Sequence, residues 1–103
     1  MRQLGSTAAP AAKELAATLA DPNNDVAEAA AEALIRIGTA AVEPVAGQLS
    51  SKTAAARRLA LVCLARIGPA AKSTVPQIEK LKQDPDSQIR QLANAALKQL
   101  SGQ

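Results

Sequence analysis

The stretch "LIRIG" at residues 34–38 recurs as "LARIG" at residues 64–68, thirty residues further along the chain. A looser third copy is "LKQLSG" at residues 97–102. Self-similarity with a period of 20–50 residues is typical of chains that stack copies of one supersecondary unit. The fold therefore depends on what that unit is.

Each copy closes a segment in which apolar residues are spaced by four, four and three positions. This spacing places their side chains on one face of an α-helix. The equivalent residues are Val26, Ala30, Leu34 and Ile37 in the first segment, Ala56, Ala60, Leu64 and Ile67 in the second, and Ile89, Ala93, Leu97 and Leu100 in the third. Before each segment lies a shorter apolar stripe, such as Val42, Val45 and Leu49. Each unit is therefore predicted to be a pair of helices.

Turn and cap residues support the same division of the chain. Gly38 and Gly68 follow the last apolar residue of a segment, where a helix often ends in a residue with positive φ. The predicted N-caps of the second helices are Asn23, Thr53 and Asp86, and the prolines predicted in first turns are Pro10, Pro44 and Pro76. The predicted helices span about 8–20, 24–36, 40–50, 54–67, 73–83 and 87–100.

Composition favours an all-α domain and gives little support for catalysis. The 103 residues include 25 alanines and no Phe, Tyr or Trp, so the core must be built from small and aliphatic side chains. There is no histidine, and the single cysteine, Cys63, is predicted to be a buried structural thiol rather than a nucleophile. No cofactor, metal ion or enzymatic activity is expected. The longest apolar run, at residues 59–65, is too short to cross a bilayer, so no membrane association is expected.

The stretch "DPNNDVAEAAAE" at residues 21–32 has oxygen ligands spaced as in a calcium-binding loop. Such a loop needs glycine at its sixth position, which here is Val26, and the helical pattern that begins there carries Glu32 away from Asp21. We interpret the stretch as a turn between two helices. Glu28 and Glu32 are interpreted as part of a solvated helix face.

The order of these features resembles HEAT repeats, in particular the short bacterial kind. A helix pair is followed by Asp-Pro, then by a helix that opens on an aliphatic-Arg step, as in "DPDSQIRQLANAAL" at residues 84–97; "IGPAAKSTVPQIEKL" at 67–81 is the other close stretch. The resemblance covers about residues 8–100. It implies an α-solenoid (an armadillo-like helical, α-α superhelical fold) of three HEAT-like helix pairs in one domain over 1–103, with repeats at about 8–37, 38–67 and 68–100.

The resemblance also implies a ladder of ion pairs between neighbouring repeats. It assigns this role to Asp21 and Asp84 against Arg57 and Arg90. Two positions depart from the pattern, because Ser51 stands where Asp is expected and Ala27 stands where Arg is expected. At most about one rung of the ladder is therefore expected.

Charge is distributed unevenly along the chain. Its net charge is +3, but residues 1–50 carry three basic and six acidic side chains, whereas residues 51–103 carry nine basic and three acidic ones. The second helices are expected to line the concave side of the solenoid. The candidate partner-binding residues on them are Arg36, Arg58, Arg66, Leu61, Val62, Asn94 and Lys98.

The sequence thus favours a non-catalytic scaffold module that binds another protein, with an acidic partner as one option. Two alternatives stay open: binding of nucleic acid by the basic second half, which the absence of aromatic side chains disfavours, and an accessory role like that of HEAT-like proteins in bilin attachment. The expected oligomeric state is a monomer or a weak self-associating species, and a cytoplasmic location is the default. The polar last helix fits a cap, but the sequence leaves open whether the chain is free-standing or part of a longer array.

Overall fold

Residues 11–100 are described by a computed structural model, and this part of the chain contains helices and turns but no strand. Helix α1 takes in residues 11–18. It is followed by α2 (Asn24–Ile37), α3 (Val42–Gly47), α4 (Ala54–Ile67), α5 (Val75–Lys80) and α6 (Ser87–Leu100). The prediction of an all-α protein is confirmed. Pro10, which was predicted in the first turn of the first helix, lies outside the described residues.

Helices α2, α4 and α6 are each 14 residues long, as expected for copies of one element. Helix α4 occupies the centre, because it contacts both α2 and α6, and α3 and α5 pack against α4 and α6 respectively. The Cα radius of gyration is 12.7 Å and the principal extents are 39 × 33 × 17 Å, so the helices form a flat slab. Within residues 11–100, no helix combines the length and apolar character that crossing a bilayer requires.

The shorter helices differ from the prediction in their ends. Helix α3 has only six residues and is flanked by 3₁₀ segments at Gly38–Ala41 and Gln48–Ser50, and α5 is flanked in the same way by Gly68–Thr74 and Leu81–Gln83. Apolar periodicity does not distinguish an α turn from a 3₁₀ turn when the segment is this short.

Two of the three predicted N-caps make the expected side-chain bonds. Asn23 Oδ1 accepts from the backbone N–H groups of Asp25 and Val26 at 2.9 and 3.2 Å. Asp86 Oδ1 accepts from those of Gln88 and Ile89 at 2.8 and 3.3 Å. Thr53 occupies the N-cap position of α4, but its side chain makes no cap bond. The prediction of Thr53 as the N-cap residue is confirmed in position.

The core is built from small and aliphatic side chains, as a chain without aromatic residues requires. Leu34, Leu64, Ile89 and Leu100 are completely buried, and so is Leu61 on the central helix. Between them lie fully buried alanines such as Ala56, Ala60 and Ala93. Alanine at a helix contact lets the two helix axes approach closely, so small side chains suffice to fill the space between these helices.

Glycine is required at the ends of α2 and α4. Gly38 has φ 77° and ψ −126°, and Gly68 has φ 88° and ψ −148°. A residue with a Cβ rarely adopts this backbone conformation. A Cβ built at Gly38, Gly47 or Gly68 would meet nothing within 4 Å, so a substitution at Gly38 or Gly68 acts through the backbone rather than through a steric clash.

We expect Gly68→Ala to lower the free energy of unfolding by about 1–3 kcal/mol because of the positive φ. Gly47→Ala is the matched control: Gly47 has φ −61° within a helix, and alanine there should raise stability by up to about 1 kcal/mol. Urea unfolding followed by circular dichroism measures both. Equal effects of the two substitutions would contradict the backbone explanation.

Candidate functional site

A groove crosses the exposed face that α2, α4 and α6 share. Its volume is about 340 Å³. Its floor is aliphatic and its walls carry charges of both signs. The lining residues are Glu28, Ala31, Glu32, Ile35, Arg58, Leu59, Val62, Gln88 and Leu92.

Arg58 is the basic side chain that lines this groove. It is half-buried, and within residues 11–100 it has no ion pair or hydrogen bond from its side chain. It stands one turn before Val62 on α4, beside the aliphatic floor. A guanidinium in such surroundings is less fully hydrated than one on an open surface, so a carboxylate that reached it would bind more strongly than at an ordinary surface arginine.

The arginines on this face do not form a continuous basic strip. Arg66, two turns further along α4, has its Nη1 4.0 Å from Glu32 Oε2 on α2, and both side chains are more than half exposed. Glu28 lines the groove together with Arg58. Carboxylates thus lie among the arginines, an arrangement that repels a phosphate backbone.

The seven candidate partner-binding residues occupy different surroundings. Arg58 and Val62 line the groove, Arg66 lies at its rim, and Arg36 is exposed on α2. Asn94 and Lys98 lie elsewhere, beside a second depression of about 580 Å³ that Val75, Glu79, Lys82 and Leu97 also line.

Leu61 is a correction to that set. It is 0% exposed, because it lies in the core on the side of α4 that holds the other fully buried leucine of this helix, Leu64. A buried side chain cannot contact a partner. Its neighbour Val62 is only half-buried and is the one that lines the groove. Successive residues of a helix are rotated by about 100°, so Leu61 points into the core while Val62 points toward the surface.

Glu28, Glu32, Gln88 and Leu92 were not among the predicted partner-binding residues although they line the groove. A signal for two of them was present in the sequence. Glu28 and Glu32 occupy the same repeat positions on α2 as Arg58 and Val62 occupy on α4, thirty residues later. The prediction selected basic and apolar side chains and therefore passed over acidic residues at equivalent positions.

The proposed ladder residues lie on another side of the slab, where turns precede the long helices. Arg57 Nε is 2.9 Å from Asp84 Oδ2, and Nη2 donates to Oδ1 at 3.3 Å. The Arg57 and Asp84 side chains are 17% and 5% exposed. The N–H of Nε does not point at a partner in hydrogen-bond geometry, so this shortest contact is mainly electrostatic. Arg57 Nη1 also donates to the Ser51 carbonyl at 2.7 Å.

The two residues that depart from the ladder pattern would pair with each other, at the contact between α2 and α4. Arg57 on α4 pairs with Asp84, which precedes α6; by the same register, residue 27 on α2 would pair with residue 51, which precedes α4. Those residues are Ala27 and Ser51, so both partners are absent together and no charge is left buried without its counterion. Ser51 keeps the local role of the aspartates, because its Oγ accepts from the Thr53 N–H at 3.1 Å.

Asp21 and Arg90 are the remaining ladder residues, and the structure does not bring them together with Arg57 and Asp84 as further rungs. Asp21 Oδ1 accepts from the Asn23 N–H at 2.8 Å. Arg90 Nη1 donates to the carbonyls of Asp84 and Pro85 at 2.7 and 3.2 Å. Neither residue has an ion pair in the described part of the chain.

Cys63 lies in the core between α4 and α2. Its Sγ is 3.6 Å from the Ala31 carbonyl, to which it donates, and the residue is 0% exposed. Burial, with a smaller contribution from the Glu32 charge, raises the pKa of the thiol from 9.0 to about 12. A thiol in this state is a poor nucleophile.

Comparison of the chain with protein-family models, with curated proteins and with solved structures found no match. Inferences about function therefore depend on the groove and on the turns just described.

We expect the Arg57–Asp84 pair to stabilise the fold mainly by avoiding an unpaired charge. Asp84→Asn should lower the free energy of unfolding by about 1–3 kcal/mol, since it leaves Arg57 without its counterion. The double variant Arg57→Ala, Asp84→Ser copies the junction at Ala27 and Ser51. Its loss of unfolding free energy should be smaller than the sum of the losses in Arg57→Ala and Asp84→Ser. A double-mutant cycle in urea measures this difference.

Asp21→Asn is the matched control for Asp84→Asn. It is a chemically identical change at the equivalent turn, where no ion pair is present among residues 11–100, and it should change stability by less than about 0.5 kcal/mol. An equal loss in both variants would show that the turn, rather than the ion pair, is responsible.

We expect the raised pKa of Cys63 to make stability depend on pH above the ordinary thiol range. The unfolded chain loses its thiol proton from about pH 9, whereas the folded chain keeps it up to about pH 12. The free energy of unfolding should therefore be unaffected by this group below pH 9 and should fall as pH rises from 9. Urea unfolding at pH 7 to 10.5 measures the fall, which Cys63→Ala should reduce; an unchanged slope would contradict this origin.

Proposed function

We propose that the chain is an α-solenoid of three HEAT-like helix pairs that serves as a non-catalytic module for binding another protein. The equal lengths of α2, α4 and α6 support this architecture, as does the central position of α4. A further support is that equivalent alanines, Ala30, Ala60 and Ala93, are buried in all three long helices.

The observation that carries the proposal is the groove, and within it Arg58. An unpaired, half-buried guanidinium above an aliphatic floor favours a ligand that has a carboxylate beside an aliphatic side chain. We therefore assign the groove to a segment of another protein that carries Asp or Glu next to Leu, Ile or Val. Glu28, which also lines the groove, selects against segments with a second acidic residue beside it, because like charges repel.

The length of the segment follows from the spacing of the helices. Helix axes in contact are about 8–10 Å apart, so the path from α2 over α4 to α6 is about 20 Å. An extended chain advances about 3.3 Å per residue, so about six residues cross the groove. Backbone amides of such a segment lie within reach of Gln88, whose side chain both donates and accepts hydrogen bonds.

We expect peptides selected from a random display library against the full chain to share an acidic residue beside an aliphatic one. Arg58→Glu should weaken their binding at least about tenfold, because it replaces a charge-assisted hydrogen bond by repulsion. Isothermal titration calorimetry measures the loss. Amide shifts in ¹⁵N-resolved spectra should cluster around Ala31, Val62 and Leu92.

Lys72→Glu is the control for this experiment. It makes the same charge change at an exposed residue of the 3₁₀ segment before α5, outside the groove. Binding that Lys72→Glu weakens as much as Arg58→Glu does would indicate a general charge effect. Amide shifts confined to other surfaces would exclude the groove as the site.

A further inference from the structure

The junction between α4 and α6 shows how one unit of this chain joins the next. On α6, Ile89, Ala93 and Ala96 are 0–1% exposed. On α4, Leu61 and Leu64 are completely buried. Beside this apolar contact, Arg57 reaches across to Asp84 in the turn that precedes α6. A junction thus consists of an apolar strip from each helix and one Arg–Asp rung.

Arg90 on α6 is held in the same way as Arg57 on α4. Arg57 Nη1 donates to the carbonyl six residues earlier, that of Ser51, at 2.7 Å; Arg90 Nη1 donates to the carbonyl six residues earlier, that of Asp84, also at 2.7 Å. In Arg57 this leaves Nε and Nη2 facing the Asp84 carboxylate, to which Nη2 donates. The corresponding atoms of Arg90 have no partner among residues 11–100, so a positioned guanidinium stands at the outer side of α6.

Asp21 is held in the same way as Asp84. Oδ1 of Asp84 accepts from the Asp86 N–H at 2.9 Å, and Oδ1 of Asp21 accepts from the Asn23 N–H at 2.8 Å. In Asp84 the second oxygen, Oδ2, lies 2.9 Å from Arg57 Nε as an ion pair. In Asp21 the second oxygen has no cationic partner in the described part of the chain.

One apolar residue near Asp21, Val26, is also exposed. Val26, Ala56 and Ile89 occupy equivalent positions of α2, α4 and α6. Ala56 and Ile89 are 0% exposed, whereas Val26 is 43% exposed. Ala56 and Ile89 each lie on a long helix that packs against the preceding long helix, α4 against α2 and α6 against α4, whereas α2 is the first of the three.

We infer that a second copy of this chain binds head to tail, with Arg90 of one copy paired with Asp21 of the next and Val26 covered by the first copy's α6. Both halves of the rung are already positioned, so forming it requires little ordering of side chains. The net charges of the chain agree with this orientation, since the half that contains Asp21 is acidic and the half that contains Arg90 is basic.

Asn94 limits the strength of this contact. It stands on α6 at the position that Leu61 occupies on α4, and it is exposed. A polar side chain in place of the buried leucine removes apolar area from the junction, so association between copies is weaker than the contact between α4 and α6. The association is therefore expected to be reversible and to depend on protein concentration and salt.

Sedimentation velocity of the full chain, at about 10 µM to 1 mM protein, tests the inference. The mass of the wild type should rise with concentration and return to that of a monomer in about 1 M NaCl, where the Debye length is about 3 Å. Arg90→Asp and Asp21→Arg should each weaken association at least about tenfold. Asn94→Leu should strengthen it, because it restores the leucine of the internal junction.

Mixing provides the decisive control. Arg90→Asp keeps an intact Asp21 side and Asp21→Arg keeps an intact Arg90 side, so an equimolar mixture should associate more strongly than either variant alone. A wild type that stays monomeric at every concentration in low salt would overturn the inference, and so would association that neither single variant weakens. Arg58→Glu should leave association unchanged, so the outcome is separate from that of the groove.

Discussion

The whole structure depends on the burial of α4. This helix contacts α2, α3 and α6, and residues on several sides of it, including Ala56, Leu61 and Cys63, are excluded from solvent. A helix that is apolar on most of its circumference is stable only when neighbours cover it, whereas α2 and α6 can each leave one side in water. The three long helices share their length and the spacing of their apolar residues. They differ in how much of their circumference is apolar, because α4 must be covered on several sides.

The ion pairs obey a related constraint. A buried Arg–Asp pair contributes little net stability compared with apolar residues, but one charge without the other is costly. The chain accordingly has a complete pair at Arg57 and Asp84 and no charge at Ala27 or Ser51. Single charges remain at Asp21 and Arg90, on sides where water can solvate them. Charge at these four positions is therefore either paired within the slab or kept where hydration compensates it.

Much of the helical arrangement could be predicted from the sequence, because spacings of four, four and three residues repeat in three segments and because Gly38 and Gly68 mark where two of them end. The capping bonds of Asn23 and Asp86 followed from residue type alone. Thr53 did not follow that rule, since the cap position can be occupied without the side chain turning toward the helix. The 3₁₀ turns around α3 and α5 were missed because a six-residue helix is too short for apolar periodicity to define its ends.

The groove was harder to predict than the helices, since a surface depends on rotation by a single residue. Leu61 and Val62 are neighbours of similar hydrophobicity, and only the packed structure shows that the first is core and the second lines the groove. The alignment of the copies nevertheless contained this information. Leu61 on α4 aligns with Asn94 on α6, so this position changes from apolar to polar on the helix that no further described helix covers. The position of Leu61 thus differs between α4 and α6, whereas the position that Glu28, Arg58 and Gln91 share is polar in all three long helices. Differences between equivalent positions, rather than the residues that the copies share, therefore separate the side of a long helix that a neighbouring helix covers from the side that stays exposed.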